Sequence, residues 1–309
     1  MILRQRAPIP FPETLKPKYW AIWFGLGLLW SINKLPLSWQ SRIGAGIGKM
    51  MYALMGKRRK ISATNLQLCF PEMSETERET LLKNNFKHIG MLLTEAGLSW
   101  WSSRERLEKL AHFNGSEHLE KALEKGKGVI LLTCHMTSLE LGGQLVAMRF
   151  PLQVMYKRSR NVLTEAIILR GRQRFTHRVF KHDDIRAMLR GLKEGLAAWY
   201  SPDQDFGRQR SVFADFMGIQ TATVRMTATL AKRSGALVVP YFPIRLPDNK
   251  GYEIRILPPL ENYPSGDDIK DARKVNAVFE EIVKQYPEQY MWLHRRFKTR
   301  PEGEPPLYT

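Results

Sequence analysis

The sequence of 309 residues predicts an α/β fold, a central and mostly parallel sheet flanked by helices, with an N-terminal membrane-anchoring helix. Three observations predict it. Short apolar runs suited to buried strands alternate with segments of helical period, the pattern of strand–helix–strand units. Polar residues with chemistry to offer fall just after several of those runs, where ligands of such sheets bind. Residues 19–32, YWAIWFGLGLLWSI, are uncharged and include three tryptophans.

That aromatic run comes first. A spanning helix needs about 20 apolar residues, so this is either a short span or a helix lying in the membrane plane. Trp20, Trp23, Trp30 and Trp39 suit the membrane interface. The competing reading is a buried core helix. No small-residue cleavage site follows, which argues against a removable leader. Arg42, Lys49 and KRRK (57–60) put the following side in the cytoplasm by the positive-inside rule, although Arg4, Arg6, Lys16 and Lys18 weaken the asymmetry. The expected division is a membrane anchor over 1–40 and an α/β domain over 41–309.

Residues 70–101 read as a helix. Ser74 and Glu77 form a capping box, and Leu81, Leu82, Phe86, Ile89, Leu92 and Leu93 make an apolar stripe. A helix capped at Ser116 and stopped by glycine fits 115–128. VILLTC (129–134) is a continuous apolar run and hence a buried strand, followed by a helix from Thr137 or Ser138 to about Met148. LQVMY (152–156) is the next strand, and 161–175 the next helix. Then come a helix over 184–195, a strand opening into a polar loop over 196–205 and a helix over 224–235. Strands at 236–246 and 252–260 and a helix from about Asp267 to Tyr286 close the domain. No internal repeat is present.

Composition narrows the classes. At 43% hydrophobic the chain is no disordered polyelectrolyte, and a net charge of +18 favours a polyanionic partner. Cys69 and Cys134 form no metal or disulfide spacing, which indicates a reducing compartment.

Three groups converge at strand ends: His135, the run Tyr156-Lys157-Arg158, and Asp203 with Asp205. A histidine at a strand end and a carboxylate one short turn into the next helix can meet, and Glu140 could then fix the His135 tautomer and free the other nitrogen as a general base. The competing reading leaves Glu140 as a favourable charge in a helix first turn and His135 as a strand cap. A dyad without a protein nucleophile suits activation of a substrate hydroxyl. Cys134 should face the core, because neighbouring strand side chains point to opposite faces. One histidine and one glutamate make no metal site. Arg170, Arg172 and Arg174 are either a solvated helix end or a phosphate clamp. HRRFKTR (294–300) is a dense basic cluster without a nucleic-acid motif, so nucleic acid is not the expected partner.

With these residues in view the chain resembles the late acyltransferases of lipid A biosynthesis, the lauroyltransferase type of the Gram-negative inner membrane. The likeness runs almost end to end and is carried by YWAIWFGLGLLW, NLQLCFPEMSETER, HMTSLELGG, VMYKRSRN, RGRQRF, WYSPDQDFGRQRSVF and PEQYMWLHRRFKTRPEG. It implies transfer of an acyl chain from acyl carrier protein to a hydroxyl of a 3-hydroxyacyl chain on the Kdo-bearing tetraacylated lipid A precursor. It also implies residence at the inner membrane, with the site on the cytoplasmic side. No cofactor is needed, because a thioester is already activated. Carried over by position, His135 is the general base and Glu140 its partner. Arg172 would meet a substrate phosphate or oxyanion, and Asp203 would orient that arginine or a substrate group. Lys157 stands where relatives often carry arginine, and Arg174 joins the substrate-binding set. MTS replaces the more usual aromatic after the histidine, so Met136 either shapes the acyl pocket or packs. Helix N-terminal amides after His135 are a candidate oxyanion hole. SVF after FGRQR leans the chain length toward lauroyl, with palmitoleoyl and myristoyl transfer as alternatives. A glycerophospholipid acyltransferase and a basic membrane-anchored binder are the other readings.

Overall fold

The computed structural model describes residues 8–308; Arg4 and Arg6 lie outside the described residues. The first third is helical: α1 (Phe11–Thr14), α2 (Trp20–Asn33), α3 (Leu37–Leu54), α4 (Gly56–Cys69), α5 (Glu75–Trp101) and α6 (Arg104–Glu108). Alternation follows: β1 (Ala111–Asn114), α7 (Ser116–Glu124), β2 (Val129–Leu132), α8 (Leu139–Arg149), β3 (Leu152–Tyr156), α9 (Val162–Arg172), β4 (Arg178–Lys181), α10 (Ile185–Lys193) and β5 (Ala197–Tyr200). Then come β6 (Ser211–Phe216), β7 (Ile219–Val224), α11 (Met226–Ser234), β8 (Leu237–Arg245), β9 (Tyr252–Ile256) and α12 (Asp268–Gln285).

The central sheet has the order β1-β9-β8-β2-β5-β3-β4. Every neighbouring pair is parallel except β8 with β9. Val129 to Leu132 of β2 are all buried, as a strand covered on both faces requires. Strand β8 carries Pro240 and Pro243 in the middle of the sheet, where proline is unusual. It tolerates them by changing partners: Leu237–Pro240 pair with β2, and Tyr241–Arg245 with β9. The strands β1 and β4 were not expected from the sequence, because four residues ending in polar or charged side chains give no periodic signal. The hairpin β6–β7 was missed as well.

Helix α5 is the spine of the helical layer, and its capping box at Ser74 and Glu77 is present. Helix α7 departs in detail, since its N-cap is Gly115 in the left-handed region and Ser116 is already helical. Along α5, helix α3 approaches closely enough that a Cβ on Gly90 would lie 2.1 Å from the carbonyl oxygen of Gly44. Further along, α2 lays Leu29 over Gly97. The opposite stripe of α2 faces outward, with Trp20, Phe24 and Leu28 exposed by 64%, 76% and 54%. That excludes the buried core helix, whose apolar positions would be covered. Among the described residues, no helix is long and apolar enough to cross a membrane.

Candidate active site

Register across the sheet builds the site. Leu132 of β2 lies opposite Tyr200 of β5, and Thr133 N–H continues the ladder to the Tyr200 carbonyl. Three residues further along each chain come His135 and Asp203. His135 Nδ1 stands 2.6 Å from Asp203 Oδ1, and the His135 backbone N–H donates to Oδ2 at 2.9 Å. The Tyr290 hydroxyl donates to the same Oδ2 at 2.9 Å. Asp203 is buried, whereas 26% of the His135 side chain is exposed. The ring is therefore fixed on its inner side and reachable on the other.

The electrostatics follow from this contact. Burial would raise the Asp203 carboxyl, but the charge and hydrogen bonds of His135, with Arg296 nearby, outweigh it and hold it at about 2. Burial alone would lower His135; the Asp203 charge and hydrogen bond more than reverse that and raise it. Burial drives the Cys134 thiol well above its ordinary range. It is a core residue, as expected, and no thiolate nucleophile.

The expected pairing of His135 with Glu140 is therefore corrected. Glu140 sits in the first turn of α8 and is taken by Arg172 at the end of α9. Arg172 Nε reaches both carboxylate oxygens at 3.0 and 3.1 Å, and Nη2 reaches Oε2 at 2.5 Å. A planar guanidinium matches a carboxylate at two points, which a neutral imidazole cannot do. The expectation that Asp203 would orient Arg172 is corrected with it, since Asp203 serves His135.

The other expected residues divide. Arg174 donates to the carbonyls of Ser99, at 2.9 Å, and Ser102, so its guanidinium holds the end of α5 rather than lining the His135 centre. Lys157 is exposed on the loop after β3. Met136 is fully buried and paired with Tyr290, so it packs. The backbone amides after His135 are mostly committed: Met136 N–H donates to Cys134, Thr137 N–H to Gln289 and Leu139 N–H to Met136. That removes most of the expected oxyanion hole. Arg172 engages Glu140 through Nε and Nη2.

Within the basic cluster, Arg296 is a buried structural residue that donates to the Ala222 carbonyl at 2.9 Å. Arg300 donates to the Gln220 carbonyl at 2.8 Å and pairs with Glu304. Two site residues went unrecognised in the sequence. Gln204 Nε2 lies 3.1 Å from His135 Nε2 and 3.1 Å from His294 Nε2. His294 opens the cluster read as a charge patch, and Gln204 sits inside the DQD run where only the carboxylates drew notice. No group of metal-ligating side chains occurs among the described residues.

The arrangement can orient an imidazole through Nδ1 and accept a proton at Nε2. Comparison with known proteins is consistent with that chemistry. The model of bacterial lipid A biosynthesis acyltransferases matches residues 10–299. The chain is 40% identical to the lipid A biosynthesis lauroyltransferase of Escherichia coli K12, over 95% of this chain and 96% of that one. It is 38% identical to the palmitoleoyltransferase of the same organism, over 96% and 97%. It is 29% identical to the myristoyltransferase, over 93% and 90%.

Proposed function

Because the chain belongs to the bacterial lipid A biosynthesis acyltransferases, we propose that it transfers a lauroyl chain from acyl carrier protein to a hydroxyl of a 3-hydroxyacyl chain on the Kdo-bearing tetraacylated lipid A precursor. The observation that carries this reading is the pair His135–Asp203, whose Nε2 faces the Gln204 carboxamide and, among the described residues, no hydroxyl or thiol. Such a base acts on a hydroxyl that the substrate brings. Asp203 keeps the proton of the neutral imidazole on Nδ1 and stabilises the imidazolium that forms.

In the step, the acceptor hydroxyl gives its proton to His135 Nε2 as its oxygen bonds to the thioester carbonyl carbon. The carbonyl electron pair moves to oxygen, and Arg172, its guanidinium fixed by Glu140, is assigned to that charge. On collapse the carbon–sulfur bond breaks, and His135 returns the proton to the leaving sulfur. Asp203 takes the role of partner that Glu140 was expected to hold.

The net charge of +18 suits both an acidic carrier protein and a phosphorylated lipid. We assign residues 1–40 to membrane attachment at the inner membrane, with α2 lying in the interface, its outward aromatic stripe toward lipid and the site on the cytoplasmic side. Palmitoleoyl transfer is the second reading, supported by the 38% identical relative. The test offers C12, C14 and C16:1 acyl carrier proteins to detergent-purified protein with the tetraacylated precursor. A pentaacylated product formed best from C12 and absent with His135→Ala supports the proposal. Acylation of lysophosphatidate instead of the lipid A precursor sinks it.

A further inference from the structure

Gln204 covers the outer ring nitrogen of His135. Its carboxamide nitrogen bridges His135 Nε2 and His294 Nε2, both at 3.1 Å, and the two rings lie 5.7 Å apart, nearly edge to face. With its Nδ1–H donating a hydrogen bond to Asp203, a neutral His135 shows a lone pair at Nε2. Burial, helped by the charge of Arg58 and opposed by that of Asp203, holds His294 below its ordinary value. Two accepting nitrogens are satisfied by an NH2 group with its two hydrogens. The amide thus fills the position from which a hydroxyl would give its proton to His135.

The surroundings fix every part of this bridge except the glutamine side chain. Buried Asn65 of α4 donates to the carbonyls of His294 and Trp292, both at 2.8 Å, and accepts from the Tyr308 hydroxyl. Arg58 donates to the Leu293 carbonyl at 3.1 Å. On either side of Gln204, Asp203 accepts three bonds, and Asp205 accepts from Gly207 and Thr299. The backbone on either side of Gln204 is therefore held, and its side chain is tied to the two imidazoles.

We propose that Gln204, steered by His294, binds the acceptor hydroxyl, occupying its place in the resting site and then donating to its oxygen. The proposal rests on the acyl-transfer reading above. As the hydroxyl enters, Gln204 leaves His135 Nε2 but keeps its bond to His294. Its second hydrogen then meets the hydroxyl oxygen, which is held from two sides: it donates to His135 and accepts from Gln204. His294 touches no substrate and is a positioning residue.

The test measures donor and acceptor KM separately in detergent-purified protein, with C12 acyl carrier protein and the tetraacylated Kdo-bearing precursor. Gln204→Leu keeps bulk and loses both donors; it should raise acceptor KM at least tenfold and leave donor KM within twofold. His294→Ala should shift acceptor KM in the same direction by less, and His294→Gln, which retains an acceptor, should restore part of it. In the Gln204→Leu background, His294→Ala should add nothing, because it acts through Gln204. An acceptor KM within twofold of wild type in Gln204→Leu overturns the proposal. So do equal rises in both KM values, or an additive loss from His294→Ala. Should Gln204→Leu fail to fold, the KM split of His294→Ala decides alone. Absence of product from the wild type would instead fault the acyl-transfer reading.

Discussion

His135 is paired across the sheet with Asp203, 68 residues away, and not with Glu140, five residues along its own chain. The pairing sorts the carboxylates of the site into two roles. Asp203 holds the imidazole, while Glu140 holds the guanidinium of Arg172.

Asp203→Asn should keep the fold and lower turnover by about 10⁴, the scale seen when the carboxylate behind a catalytic histidine loses its charge. The amide can still bond to the ring but no longer stabilises the imidazolium. Turnover in folded variant protein checks this; a loss under tenfold would mean that the carboxylate charge is dispensable.

The pH profile should follow from the raised His135. A base works when unprotonated, so activity rises with pH and its acid limb lies above about 6.5, the ordinary histidine value. The stability contributed by the pair has the opposite trend on the histidine side. It is fully present below the unfolded-state value and is lost as pH rises through the raised folded one. Asp203→Asn should move the limb down, and Glu140→Gln should leave it in place. A limb that follows Glu140 and ignores Asp203 would return Glu140 to the role of partner.

Arg172→Lys should behave nearly as badly as Arg172→Ala, because an ammonium cannot make the two-point bond to Glu140. Single losses at either residue should exceed tenfold in turnover. A double-mutant cycle of thermal or denaturant unfolding should give a coupling of about 0.5–3 kcal/mol. Additive single effects would show that the two residues act separately.

Gly90→Ala should destabilise by about 1–3 kcal/mol, the usual effect of forcing a methyl group into a filled space. The added carbon would press on backbone atoms of Gly44 and Gly48, which cannot rotate away. A melting temperature equal to wild type would show that α3 and α5 separate at little cost.

Phe24→Asp with Leu28→Asp should cut co-sedimentation with vesicles containing anionic lipid and leave the melting temperature unchanged, since both side chains are exposed. Undiminished binding would place membrane attachment elsewhere on this basic chain.

Much of this was legible in the sequence, and for local reasons. A continuous apolar run gave β2, and a capping box gave the start of α5, because strand burial and helix capping depend on neighbours in the chain. His135 and Asp203 were both picked out, because polar residues just past buried strands stand at the ligand-binding edge of a parallel sheet. Which residues meet there was decided by the tertiary structure. Sequence spacing brought Glu140 near His135, but only the pairing of β2 beside β5, and of α8 against the end of α9, determines that Asp203 takes the imidazole and Arg172 takes Glu140. His294 shows the same limit. It looked like part of a charged patch until the buried amide of Asn65, 229 residues earlier, fixed its backbone beside the base. Local propensity is written along the chain, whereas hydrogen-bond partnership between distant residues follows from strand order and helix docking, which no short window of sequence contains.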